Sequence, residues 1–291
     1  MHGVMETFGA ITFVNALPCG IGAAAGVDLP VRVDASVEER TRSRAPTITV
    51  RDGEPTALVS AAAEEAVRRY GSGRALGVEL EIRSHIPAAR GLKSSSAVSA
   101  AVVGATARAL QCNPDPIELA QISADVSTRV GLSATGAFDD ACASLSSEVI
   151  LADNAQRTIL RRWPFPADLE VLLWIPSKEH APSPKWASAF RARAAEGRRA
   201  VEAALDGDLF EAMRRNTALV EGVMDYPYER MRERAVGAGA AGCGVSGLGP
   251  TVAFLTPSSR IGRVVDGLPR DGAEVRRIGS RTSGVGPEVA R

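Results

Sequence analysis

The spacing of apolar and polar positions divides the chain into segments with different periods. Residues 1–35 read as short β segments, since apolar residues alternate with small polar ones in MHGVMETFGAITFVNALP. A Gly- and Ala-rich stretch from Pro18 to Gly26 reads as a turn, after which DLPVRVDASV resumes a strand-like pattern. From Pro55 to Tyr70, PTALVSAAAEEAVRRY places apolar residues at helical spacing and meets a stop at Gly71. LGVELEIRSHI alternates again and predicts a half-buried strand. PAARGLKSSSAVSAAVVGATARAL reads as a loop running into a long helix of small residues. DPIELAQISADVSTRV, residues 115–130, predicts another helix with Pro116 in its first turn. GLSATGAFDDACASLSSEVILADN reads as a loop, a short helix or turn, and a returning strand.

The composition shifts around Arg161–Pro166, and DLEVLLWIP opens a second strand-rich part. Residues 185–221 read as helical; AVGAGAAGCGVSGLGPTVAFLTP reads as a Gly-rich loop entering a strand, and EVRRI alternates. Strands and helices in this mixed order, without an internal repeat, predict an α+β fold.

Charge and composition narrow the function classes. The 34 Lys and Arg balance the 34 Asp and Glu, so no bulk basic excess exists to hold nucleic acid or an anionic membrane. Aromatic residues make up 4%, too few for base-stacking platforms. Cys19, Cys112, Cys142 and Cys243 form no Cys-x-x-Cys pair, and His2, His85 and His180 lie far apart. Neither a zinc spacing nor a disulfide framework results, which makes a reducing cytoplasm the expected setting. No apolar run of membrane-spanning length occurs.

Three segments carry candidate chemistry. In PAARGLKSSSA, residues 87–97, a glycine and three serines stand at a helix start, where unpaired N–H groups and the positive dipole end suit polyphosphate oxygens. Arg90 and Lys93 add positive charge, and a serine hydroxyl can reach Mg²⁺. An ordinary serine cap is the plainer alternative, although one serine suffices for it. The P-loop pattern GxxxxGK[ST] is absent. GCGVSGLGPT, residues 242–251, has the glycines for a close backbone approach to a ligand, or for a tight loop between packed elements. In GAFDD, Asp139 and Asp140 stand in an apolar neighbourhood, where carboxylates are costly unless compensated. Either can take a hydroxyl proton or hold Mg²⁺; an exposed acidic turn or a helix cap is the alternative.

PAARGLKSSSA resembles the second motif of the galactokinase–homoserine kinase–mevalonate kinase superfamily, Pro-x-x-x-Gly-Leu-x-Ser-Ser, and AGCGVSGLGPTVAFL resembles its third. Within that superfamily the chain is similar to the archaeal-type shikimate kinases. The carriers are GLKSSS, ATGAFDDACASLS, the downstream ADNAQRTILRR, and Gly9, Thr12, Asn15, Ala16, Gly26, Asp28 and Leu29 near the N-terminus. Ser146-Ser147-Glu148 departs from the glycine pair common in the family.

The resemblance implies a two-part α+β fold, with an N-terminal part like domain 2 of ribosomal protein S5 and a ferredoxin-like C-terminal part. The expected parts are residues 1–160 and 161–291, with ATP between them. The implied reaction is MgATP-dependent phosphorylation of the 3-hydroxyl of shikimate, with no nucleic-acid or membrane partner. The implied nucleotide site is Pro87, Ala88, Ala89, Arg90, Gly91, Leu92, Lys93, Ser94, Ser95, Ser96 and Ala97 with Gly247 and Gly249, and the Mg²⁺ ligands are Ser96 or Ser95. Asp140 is the first choice of base and Asp139 the second. Arg32, Lys178, Lys185 and Arg281 are candidate partners of the shikimate carboxylate. The alternatives are a sister kinase acting on homoserine, mevalonate or pantoate, and a non-catalytic nucleotide-binding relative.

Overall fold

Strand formation begins at once, because the alternation of the first residues runs further than a short segment. A computed structural model describes residues 1–40, 46–177 and 184–279. Strand β1 (His2–Val14) and the long β2 (Ile21–Glu39) form an antiparallel pair joined by the turn Asn15–Gly20. Gly22–Gly26 therefore belongs to a strand, correcting the turn expected from Pro18 to Gly26. The residues are small because of what packs on them. A Cβ on Gly26 would stand 2.6 Å from the carbonyls of Ala143 and Ser146, and one on Gly22 would collide with the Asp139 carboxylate.

Sheet one continues with β3 (Thr47–Val50), β4 (Leu76–Ser84), β5 (Glu148–Asp153) and β6 (Thr158–Pro164), in the order β3-β4-β2-β5-β6, with β1 on β2. β2 changes partner along one edge: Val31–Glu39 pairs with β4, and Ile21–Ala25 with β5. Over it pack α1 (Ala57–Tyr70), α2 (Ser94–Ala109) and the short α4 (Phe138–Ser144), with α3 (Pro116–Arg129) packed on these helices. α1 and α3 start where the sequence says they should. Thr56 Oγ1 accepts the Val59 N–H at 3.3 Å, and Asp115 Oδ1 accepts those of Ile117 and Glu118 at 2.8 and 3.0 Å. The alanines and glycine of α2 let it lie close on β1, where a Cβ on Gly104 would meet the Met5 side chain at 3.0 Å.

Sheet two comprises β7 (Leu169–Pro176), β8 (Gly242–Val245), β9 (Val252–Pro257) and β10 (Ala273–Ile278), antiparallel in the order β10-β7-β9-β8. Its helices are α5 (Pro184–Ala192), α6 (Ala194–Leu205), α7 (Leu209–Met224), α8 (Glu229–Ala238) and α9 (Ile261–Gly267). The helical reading of 185–221 thus resolves into three helices, broken at Arg193 and at Asp206–Asp208. Gly242 and Gly244 lie within β8 rather than in a loop, since Cβ atoms there would crowd Phe210 and Met213 of α7 at 2.5 and 2.7 Å. β7 is apolar on both faces because both are covered. Val171, Leu173 and Ile175 join a core shared with the first sheet, whereas Leu172 and Trp174 pack with Phe190, Leu219 and Phe254. This shared core fixes the loops of one half against those of the other.

Candidate active site

The loop before α2 is held in an unusual backbone path. Ala89, Gly91 and Lys93 all have positive φ, at 53°, 76° and 64°. For residues with a Cβ such a conformation costs on the order of 1–3 kcal/mol, so neighbouring contacts must impose it. Ser246 Oγ donates to Gly91 O at 2.8 Å, Ala10 N to Leu92 O at 3.2 Å, and Arg90 Nη2 to Ser177 O at 2.8 Å. Gly91 is required, since a Cβ would overlap the Ser246 carbonyl. The second glycine segment is clamped in turn. Thr12 Oγ1 accepts the Gly247 N–H at 2.8 Å, Asn15 Nδ2 donates to Gly247 O at 3.0 Å, and Tyr226 Oη donates to Leu248 O at 2.8 Å.

This interlock leaves the start of α2 open. Lys93 occupies the cap position with no side-chain cap bond, and the Ser94, Ser95 and Ser96 hydroxyls make no hydrogen bond among the described residues. The first N–H groups of the helix therefore have no partner in their own helix and carry its positive end. Across the cleft α4 begins in a similar way, entered through Gly136 and Ala137 at φ 85° and 54°. Its first turn carries Asp139 and Asp140. Asn154 Oδ1 accepts the Asp139 N–H at 3.0 Å and so takes the place of a local cap.

Lys93 Nζ stands 2.9 Å from Asp140 Oδ1, with both side chains about one-seventh exposed at 13% and 15%. Asp139 is buried against the backbone of β2 at Gly22. Burial first, and then the negative charge of Asp140, push its carboxyl up to about 7, while Lys93 acts in the opposite direction. Two carboxylates and one ammonium thus share a partly dry corner of a cleft of about 380 Å³.

Most of the residues anticipated from sequence meet there. Pro87, Ala89, Arg90, Gly91, Leu92, Lys93, Ser94, Ser95, Ser96, Gly247 and Gly249 line the cleft with Asp139 and Asp140. Ala88 is exposed outside it, and Ala97 is buried in the core, its carbonyl accepting Thr7 Oγ1 at 2.8 Å. Arg32 stands on the surface of β2, paired with Asp34 at 3.0 Å, and Lys185 is exposed; neither lines this cleft. Lys178 and Arg281 lie outside the described residues. Sequence reasoning missed Ser246 and the clamping roles of Thr12 and Asn15, although the latter two belong to the N-terminal pattern already noted.

Among the described residues no group of three His, Cys, Asp or Glu side chains forms a ready metal site. The oxygen-bearing side chains that line the cleft include serine hydroxyls and two carboxylates. Such a set suits a hard cation that keeps waters and phosphate oxygens as its other ligands. No helix among the described residues is long and apolar enough to cross a membrane.

A lysine and a serine collar at an uncapped helix start, with the two aspartates of α4 across the cleft, fit a small-molecule kinase. The GHMP kinases N terminal domain matches residues 57–148. A Methanosarcina mazei protein named shikimate kinase is 33% identical over 96% of this chain and 93% of its own length. A shikimate kinase of Pyrococcus furiosus is 33% identical over 88% of this chain and 92% of its own. The mevalonate kinase of Methanococcus jannaschii, 13% identical, superposes with a TM-score of 0.73 over 97% of this chain and 99% of that one. The chain belongs to the archaeal shikimate kinase family of GHMP kinases. The α+β, two-part GHMP fold expected from the motifs is the fold observed, and a kinase of this family uses ATP.

Proposed function

We propose that the protein transfers the γ-phosphoryl group of MgATP to the 3-hydroxyl of shikimate. The observation that carries this reading is the Lys93–Asp140 pair, 2.9 Å apart, standing in one cleft with the open serine start of α2. Phosphoryl transfer through a loose transition state needs positioning and charge stabilisation more than covalent chemistry. The N–H groups of Ser94, Ser95 and Ser96 and the Lys93 ammonium supply fixed positive charge at the phosphates. Ser95 and Ser96 would hold Mg²⁺, which supplies charge neutralisation on the phosphoryl oxygens when bound.

Asp140 is the better placed base. It is partly open to the cleft, whereas Asp139 is only 4% exposed and wedged on β2. Asp140 accepts the proton of the acceptor hydroxyl as its oxygen attacks, and Lys93 steadies the charge that develops beside it. Asp139 sits behind the pair and sets its field. The full-length similarity to shikimate kinases supports the choice of acceptor.

A coupled ADP-release assay with Mg²⁺ and a panel of shikimate, homoserine, mevalonate and pantoate tests the proposal. ADP release dependent on shikimate is expected. Release driven by another member of the panel would reassign the acceptor, and nucleotide binding without any transfer would remove the enzymatic reading.

A further inference from the structure

A second cavity, of about 390 Å³, abuts the first and shares with it Ala16, Leu17, Ala134 and Thr135. Among the described residues no carboxylate lines it, but Arg157 and Arg191 do, and Asn154 forms part of its wall. Arg157 is held rigidly: Nη1 donates to the carbonyls of Thr135 and Asn154 at 3.2 and 2.6 Å, and Nη2 pairs with Asp125 at 3.3 Å. Gly136 has no side chain here because a Cβ would run into that guanidinium. Arg191, in the last turn of α5, is exposed and makes no ion pair among the described residues.

Asn154 supplies an independent observation. It is fully buried; its main-chain N–H goes to Gly20 O at 2.9 Å, and its Oδ1 takes the Asp139 N–H. That second bond fixes which end of the amide is which, so Nδ2 is the donor left over. Nδ2 is buried and has no hydrogen-bond partner among the described residues. A buried donor without a partner calls for an acceptor from outside the chain. Two guanidinium groups, one of them held by Asp125 from outside the cavity, and a spare amide N–H describe a receptor for a carboxylate that also carries hydroxyls.

We infer that this second cavity is the acceptor subsite, in which Arg191 and Arg157 hold the carboxylate of a small hydroxy acid and Asn154 donates to the same molecule. The inference rests on the proposed reaction and deepens it. The acid is anchored on one side of the shared wall and offers its hydroxyl to Asp140 on the other. Asn154 touches both the ligand and the start of α4, so it ties occupancy of the subsite to the position of Asp139. Arg32 and Lys185, the described members of the cationic set favoured from sequence, do not line this cavity; Arg157 lies instead in the basic run following Asp153 and Asn154.

Steady-state kinetics of wild type, R191A and R191K with shikimate and with its methyl ester test the inference. Losing one charge-assisted contact predicts a rise of about 30-fold in KM for shikimate in R191A, with KM for ATP and kcat nearly unchanged. R191K recovers part of the loss. Wild type discriminates strongly against the ester, and R191A much less. An unchanged KM for shikimate, or an equal rise in KM for ATP, overturns the assignment. Should wild type fail to use shikimate, the reaction proposal fails separately, and the same two proteins are compared by thermal shift with homoserine, mevalonate and pantoate. The subsite stands if an acid that stabilises wild type no longer stabilises R191A. It falls if that shift persists, or if no acid stabilises wild type.

Discussion

Helices α2 and α3 lie side by side, joined by a bond from Ser123 Oγ to Ser96 O at 3.3 Å, yet they begin in opposite ways. α3 follows the rules for a stable start: Asp115 caps two N–H groups, Pro116 takes the first helical position, and Glu118 adds negative charge to the first turn. α2 does none of this. A lysine in a left-handed conformation enters it, no side chain caps it, and no acid neutralises its first turn. A start that satisfies its own donors needs nothing from outside, whereas one that leaves them open, held so by strained neighbours, is arranged for an anion. The start of α3 therefore bears on stability, and the role proposed for that of α2 is in chemistry.

The sharpest break of that comparison lies across the cleft from α2. Asp140→Asn is expected to lower kcat by about a hundredfold or more, the range of general-base loss, while ATP affinity barely changes. Steady-state kinetics with a separate nucleotide titration measure both. A smaller but still large effect is expected from Gly91→Ala. The new Cβ meets the Ser246 carbonyl at a positive φ, so denaturant unfolding should show a loss of about 1–3 kcal/mol, with kcat/KM for ATP falling alongside. Loss of stability with unchanged kcat/KM would separate the interlock from nucleotide binding.

Asp139 sharpens the comparison through pH. Its folded carboxyl is raised to about 7, so the group favours the fold below the usual carboxylate range, and that contribution is lost as pH rises through neutrality. Asp139→Asn keeps the neutral form at every pH. Its melting temperature should exceed that of wild type at pH 8.5, and the gap should narrow as pH falls and close only below about pH 4. A gap of constant size across that range would contradict the assigned cause. The smallest effect belongs to α3. Asp115→Ala should cost about 0.5–2 kcal/mol in chemical denaturation and leave kcat as it was.

Much of this was legible in the sequence, and the parts that were not share a cause. The bounds of α1 and α3 follow from local signals at Thr56, Gly71, Asp115 and Pro116, which act within one turn. The serine collar and the paired aspartates stood out because they exceed what a cap or turn needs. Gly22–Gly26 read as a turn because small residues weaken the strand signal. What keeps them small is Asp139 and the end of α4, more than a hundred residues away. Gly242 and Gly244 misled in the same manner, their space being claimed by Phe210 and Met213. Arg157 and Arg191 are ordinary basic residues in sequence; only the fold brings a turn after β5 and the end of α5 to one cavity.

The central claim, that the open start of α2 grips the nucleotide polyphosphate, is tested most directly by a crystal structure with a non-hydrolysable ATP analogue and Mg²⁺. Phosphate oxygens are expected at the N–H groups of Ser94, Ser95 and Ser96, with the γ-phosphoryl turned towards Asp140. A triphosphate bound away from residues 91–96, or Asp139 and Asp140 turned out to bulk solvent, would contradict it.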